Sequence, residues 1–188
     1  MKLSGFFAVS VGVMPLAALG SSTVNLRATR DATVSYNGIL CNYDTVPCSS
    51  IPLGLENTLT TFRGNRDFRR ILLGFDLPTN KHTKCVLRVP KPIENASTAG
   101  YQITAAITDN VWDEASVSGY VKKIDSTQIG SLNVTTPDGT GTIDITAACD
   151  KAAAGHKISV FVDTAFPMLS FNSIQSGSAD VFTLDYTF

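Results

Sequence analysis

Val181-Phe182-Thr183-Leu184-Asp185-Tyr186-Thr187-Phe188 is the last stretch of the sequence. In an extended backbone successive side chains point to opposite faces. Phe182, Leu184, Tyr186 and Phe188 therefore share one face, and Val181, Thr183, Asp185 and Thr187 the other. An apolar face backed by a largely polar one marks a strand that covers a core on one side and meets water on the other. Arg70-Ile71-Leu72-Leu73-Gly74-Phe75 reads differently. Its near-continuous apolar run fits a central strand covered on both faces.

Outward from these two segments, strands are predicted over Ala32–Tyr36, Thr58–Phe62, Phe68–Asp76, Cys85–Val89, Tyr101–Thr108, Gly130–Val134, Gly141–Ile145, Lys157–Asp163 and Met168–Asn172. Turn formers separate them: Gly64-Asn65, Pro90, Pro92, Pro137-Asp138-Gly139 and Ser176-Gly177. One helix is expected, with Thr146 as its cap, Ala147 to Ala154 as its body and Gly155 closing it in the left-handed region. Short strands with one short helix predict an all-β fold. It is a two-sheet antiparallel β-sandwich, jelly-roll-like, with residues 21–188 forming a single domain.

The 188 residues carry 15 Lys+Arg against 16 Asp+Glu, a net charge of -1. That balance argues against a nucleic-acid partner, which needs a basic excess. Charged residues are only 16% of the chain, whereas Ser and Thr together supply about a fifth. A surface rich in neutral hydroxyls suits a secreted β protein. The first 20 residues agree: Lys2, then an uncharged run from Leu3 to Gly20 ending with small residues at Ala18 and Gly20. This is the pattern of a signal peptide, residues 1–20, rather than a membrane anchor. The mature protein is expected to be secreted and extracellular, with no membrane association after cleavage.

Four cysteines fit an oxidising compartment and allow three pairings. Cys41 and Cys48 bracket a short loop, and Cys85 and Cys149 lie in separate segments, so Cys41–Cys48 and Cys85–Cys149 are the expected pairs. The chain-entropy model gives them about 2.5 and about 4 kcal/mol respectively. A zinc site is disfavoured, since no Cys-x-x-Cys exists and His82 and His156 are the only histidines. Asn95-Ala96-Ser97 and Asn133-Val134-Thr135 are acceptor tripeptides for N-glycosylation.

Several clusters could carry chemistry. Trp112-Asp113-Glu114 places two carboxylates beside the only Trp, but consecutive side chains diverge and would not flank one bond. A Trp plugging the sandwich edge with solvated acids is the plainer reading. Arg63, Arg66, Arg69 and Arg70 crowd one strand entry, and their planar donors suit the carboxylate of an acidic sugar. An ordinary solvated hairpin is the competing reading. Tyr36, Tyr43, Tyr101, Tyr120 and Phe166 are candidates for stacking on sugar rings, or else for core packing. Asp31 and Asp76 offer oxygen chemistry suited to structural calcium, the one cofactor considered, without a recognisable calcium loop. Nucleophilic catalysis lacks its elements: there is no Gly-x-Ser-x-Gly, and both cysteine pairs leave no free thiol.

With the strands laid out, the chain resembles the DNRLRE-type β-sandwich domains of carbohydrate-binding module family 96. Ala28-Thr29-Arg30-Asp31-Ala32-Thr33-Val34, Arg69-Arg70-Ile71-Leu72-Leu73-Gly74-Phe75-Asp76-Leu77-Pro78 and Val86-Leu87-Arg88-Val89 carry the resemblance. So do Val111-Trp112-Asp113-Glu114-Ala115-Ser116-Val117 and Gly141-Thr142-Ile143-Asp144-Ile145-Thr146. The Cys41–Cys48 loop departs from that pattern, and Ser118-Gly119-Tyr120 stands where a further Trp is expected. The resemblance implies a non-catalytic jelly roll that binds polysaccharide, alginate-like acidic polymers among its ligands.

The leading expectation is thus a secreted, non-catalytic protein binding cell-wall or matrix polysaccharide. Arg63, Arg66, Arg69, Tyr36, Tyr43 and Tyr120 are its candidate contacts. The alternatives are a wall-associated or effector-like protein with a cell-wall or host protein as partner, and a small polysaccharide lyase or hydrolase using Asp113 or Glu114.

Overall fold

The computed structural model describes residues 20–36, 46–64, 68–120, 122, 127–152, 155–164 and 168–188, and the backbone alone at 40–41. The expected signal peptide thus lies outside the described residues save Gly20, as do Tyr43, Arg66 and Phe166. The strands are β1 (Thr23–Arg27), β2 (Arg30–Ser35), β3 (Leu40–Cys41), β4 (Val46–Pro47), β5 (Thr58–Arg63), β6 (Phe68–Asp76) and β7 (Lys84–Val89). They continue as β8 (Glu94–Asn95), β9 (Tyr101–Thr108), β10 (Thr127–Val134), β11 (Gly141–Asp144), β12 (Lys157–Thr164), β13 (Leu169–Asn172) and β14 (Thr183–Thr187). One helix, α1 (Thr146–Asp150), joins β11 to β12.

Apart from the separate β3–β4 pair, these strands build two antiparallel sheets, in keeping with the alternating sequence pattern. The smaller runs β1-β14-β7-β11; the larger runs β10-β9-β12-β6-β5-β13-β8, with β2 along the opposite edge of β6 from β12. Across the small sheet, Leu26, Leu184, Leu87 and Ile143 stand in one row facing inward. Leu73, Val160 and Ile107 form a facing row on the large sheet. These side chains belong to the main core, with Phe75, Ile103, Phe171, Phe182 and Tyr186. Each large apolar side chain buried there contributes about 1.5–3 kcal/mol.

The run at β6 is covered on both faces, as its sequence predicts. Ile71, Leu73 and Phe75 enter the core between the sheets, whereas Leu72 faces outward in a row with Ala32, Phe161 and Ala106. Val117 and Trp112, from the connection after β9, close over that row. Gly74 makes the closure possible: a Cβ there would lie 3.0 Å from Trp112 Cζ2 and 3.1 Å from Arg30 Nε.

Two local expectations need correction. The predicted helix is shorter than its alanine-rich sequence suggests, ending at Asp150 with Lys151 as C-cap. Thr146 does not cap it. Ile145 occupies the N-cap, and Thr146 Oγ1 instead donates to Asp144 Oδ1 (2.7 Å) and accepts from Cys85 N (3.1 Å). So short a helix has little stability of its own; Cys149 anchors it to β7 through the disulfide with Cys85, Cα–Cα 6.5 Å. The other correction is β1, a strand absent from those the sequence pattern predicts. Its two apolar residues, Val24 and Leu26, pair opposite Tyr186 and Leu184 and complete the small sheet.

The Cys85–Cys149 pairing is as expected. Cys48 is also disulfide-bonded; the side chain of Cys41, its expected partner, lies outside the described residues. No helix among the described residues is long and apolar enough to cross a membrane.

Candidate functional site

Five strands assemble a pocket on the outer face of the large sheet. Arg70 is two residues before outward-facing Leu72. Gln102 and Thr104 share the face of Ala106, and Asp163 is two residues after Phe161. Arg63 at the end of β5, Gln128 on β10 and Thr164 at the end of β12 complete a cavity of about 260 Å³. Beside it, the apolar half of the same face lies under Trp112 and Val117.

Asp163 organises the cations. Its Oδ2 lies 2.7 Å from Arg63 Nη2 and 3.5 Å from Arg70 Nε. The Arg63 side chain is 54% exposed, whereas Arg70 and Asp163 are buried. Two guanidinium groups face one carboxylate, so the cluster keeps a net positive charge, and Arg63 is the half that reaches solvent. Burial lowers the Arg70 guanidinium below its ordinary value, and the Asp163 charge opposes that shift.

Aromatic rings surround these cations. The Arg70 guanidinium is 4.7 Å from the Phe161 ring centre, and that of Arg63 is 4.7 Å from Phe68. Both contacts fall within cation–π range. Tyr36 packs on Phe68 at 5.4 Å. Burial raises its phenol above the ordinary range, with Arg70 pulling the other way. The chemistry assembled is a positive recess with amide and hydroxyl partners at Gln102, Gln128, Thr104 and Thr164, its two guanidiniums packed on Phe68 and Phe161.

A larger, shallower groove of about 540 Å³ crosses the outer face of the small sheet, through Asn25, Arg88, Thr142, Thr183 and Asp185. Its single cation, Arg88, is paired with Asp185 at 2.6 Å. Asp180 adds a second acid. The pocket on the large sheet, with two guanidiniums on one carboxylate, is the more positive of the two.

The other predicted site residues are dispersed. Arg69 faces away from Arg70, beside Thr33, Glu56 and Thr60. Tyr120 is 71% exposed, its amide bonded to Ser49 O (2.8 Å) beyond the cover over the sheet. Tyr101 is a core residue whose hydroxyl donates to Gly139 O. Trp112 is a plug: its Nε1 donates to Ser159 Oγ (2.9 Å), and Arg30 lies over its ring at 4.3 Å.

Asp113 and Glu114 turn apart. Asp113 accepts from Ser116 Oγ in its own turn (2.9 Å). Glu114 is more than a solvated acid, since its Oε1 accepts from the Asp31 amide on β2 (2.7 Å).

Of the calcium candidates, Asp31 is buried, its Oδ2 accepting from Ile174 N (2.8 Å). Asp76 stands half-exposed 3.7 Å from Lys157. Among the described residues, no group of three His, Cys, Asp or Glu is placed to hold a metal ion.

No protein-family model matches the chain. It is similar to an "Uncharacterized secreted protein" of Arthroderma benhamiae, 25% identical over 154 residues, a match covering 80% of this chain and 79% of the relative.

Sequence reasoning missed Gln102, Thr104, Gln128 and Asp163, and left Arg70 out of the contact set. One signal was present. Asp163 is the lone charge inside the apolar run Ile158-Ser159-Val160-Phe161-Val162 and its continuation, and a charge in a buried strand demands a partner.

Proposed function

We propose that this is a secreted, non-catalytic β-sandwich protein that binds polysaccharide, and that its ligand is an acidic chain whose carboxylates meet Arg63 at the large-sheet pocket. The observation that carries this reading is the pairing of Arg63 and Arg70 on a single carboxylate, with the Arg63 side chain exposed to solvent. A uronate carboxylate suits the planar donors of a guanidinium, while its ring hydroxyls suit the neighbouring amides and threonines. Secretion is supported by the apolar leader, the Cys85–Cys149 disulfide and the secreted relative. A non-catalytic role is supported by the divergence of Asp113 and Glu114, each held in its own hydrogen bond.

Native gels cast with polygalacturonate, alginate or a neutral β-glucan test this reading. The expected result is retardation by the two acidic polymers, relieved by salt as the charges are screened, and free migration through the neutral one. Unretarded migration in all three gels would contradict it.

A second reading, a wall-associated or effector-like protein with a protein partner, draws support from Tyr120 and Val46. Both are exposed, and both flank the Cys48–Ser50 turn. Retardation that survives Tyr120→Ala separates the two readings, because this residue stands outside the pocket.

A further inference from the structure

The two acceptor tripeptides for N-glycosylation occupy different surroundings. Asn95 lies on β8, half-buried, and its side chain is engaged at both ends. Nδ2 donates to Pro137 O at 2.8 Å, and Oδ1 accepts from Ser97 N at 2.9 Å. The nitrogen that would carry a sugar thus rests against the turn between β10 and β11. Asn133 lies on β10, the end strand of the large sheet, which is paired with β9 alone. It is exposed, as is Thr135 two residues on, and among the described residues no side-chain hydrogen bond holds its amide. Opposite Gln102 in register, Asn133 projects from the sheet's outer face.

We infer that Asn133 carries an N-linked oligosaccharide in the native protein and that Asn95 does not. The inference rests on the secretory reading above. In the transfer, Asn133 Nδ2 forms a bond to C1 of an oligosaccharide held on a lipid diphosphate. One amide proton is lost, the C1–O bond breaks, and the lipid diphosphate leaves with that electron pair. At Asn133 the product projects into solvent and leaves the native contacts intact. At Asn95 a sugar on the same nitrogen meets the backbone of the Pro137 turn, and closing the fold requires that turn to move. The oligosaccharide on β10 also has a physical use. An end strand offers unpaired backbone groups to other chains, and a bulky hydrated cover opposes such edge-to-edge association.

The test is expression of the full chain in a yeast host. Export is read by recovery from the medium, and occupancy by intact mass before and after enzymatic removal of N-glycans. The expected mature protein carries one removable oligosaccharide, lost in Asn133→Gln and in Thr135→Ala and kept in Ser97→Ala. Exported protein of bare peptide mass would overturn the inference while leaving the secretory reading standing, as would a glycan that survives Thr135→Ala or disappears with Ser97→Ala. Protein absent from the medium would count against both.

Discussion

Asp163 stands between Arg63 and Arg70, its Oδ2 2.7 Å from Nη2 of the first and 3.5 Å from Nε of the second. The same carboxylate thus has a buried and a solvent-facing partner. Toward Arg70 it is one half of a buried ion pair, and toward Arg63 it positions a guanidinium that solvent can reach.

Removing the charge of Asp163 strands that of Arg70. Breaking a buried pair by deleting one partner typically costs about 3–5 kcal/mol, because the remaining charge is uncompensated. Asp163→Asn is expected to lower unfolding stability by about 3 kcal/mol in urea titration. Arg63→Gln, which loses only the exposed partner, is expected to cost under about 1 kcal/mol.

Asp31 predicts an unusual acid response. Burial, with a smaller contribution from the Glu114 charge, raises its carboxyl from 3.8 to about 6, against the hydrogen bond from Ile174 that lowers it. The folded protein therefore holds this proton more tightly than the unfolded chain does. Ionised Asp31 costs stability above pH 6, and stability rises as pH falls from about 6 toward 4. Asp109, Asp138, Asp144 and Asp185 are all lowered below the ordinary carboxylate value, so their losses begin only near pH 5 and grow below it. Melting temperature measured from pH 7 to pH 5 is expected to climb, and Asp31→Asn to flatten the climb.

Glycine replacements separate backbone from side-chain crowding. A Cβ at Gly54 would sit 1.8 Å from the Glu114 backbone oxygen, which only a shift of the chain can relieve. At Gly74 the neighbours are the ends of the Trp112 and Arg30 side chains. Gly54→Ala is expected to cost about 2–3 kcal/mol and Gly74→Ala less. Trp112 is the only tryptophan, so its emission should shift in Gly74→Ala.

The Cys85–Cys149 bond closes a 64-residue separation and holds α1 against β7. Replacing both residues with alanine is expected to remove about 4 kcal/mol by the chain-entropy model. Urea midpoints of the double variant and of the native protein measure the loss.

Much of the fold was legible because period-2 patterning is strong where one face is buried. Phe182, Leu184 and Tyr186 alternate with Thr183 and Asp185, and β6 and β9 have the predicted ends. Local pattern was blind to β1, where two apolar residues give too little signal and the strand exists through its pairing with β14. Helix α1 failed differently. Alanine propensity argued for length, while tertiary attachment at Cys149 set the extent. The pocket was half legible. The separation of Arg69 from Arg70 followed from alternation, but the meeting of Arg63, Arg70, Gln102, Gln128 and Asp163 depends on strand order, which no local pattern encodes.

The central claim is that the Arg63 guanidinium, poised on Asp163, recognises a carboxylate-bearing sugar chain. Isothermal titration of a defined oligogalacturonate into native protein and into Arg63→Gln, at low and at physiological salt, tests it most directly. The account predicts saturable binding to native protein that weakens with salt, and at least a tenfold loss in Arg63→Gln with the fold unchanged. Equal affinity in the two proteins, or no heat in either, would contradict it.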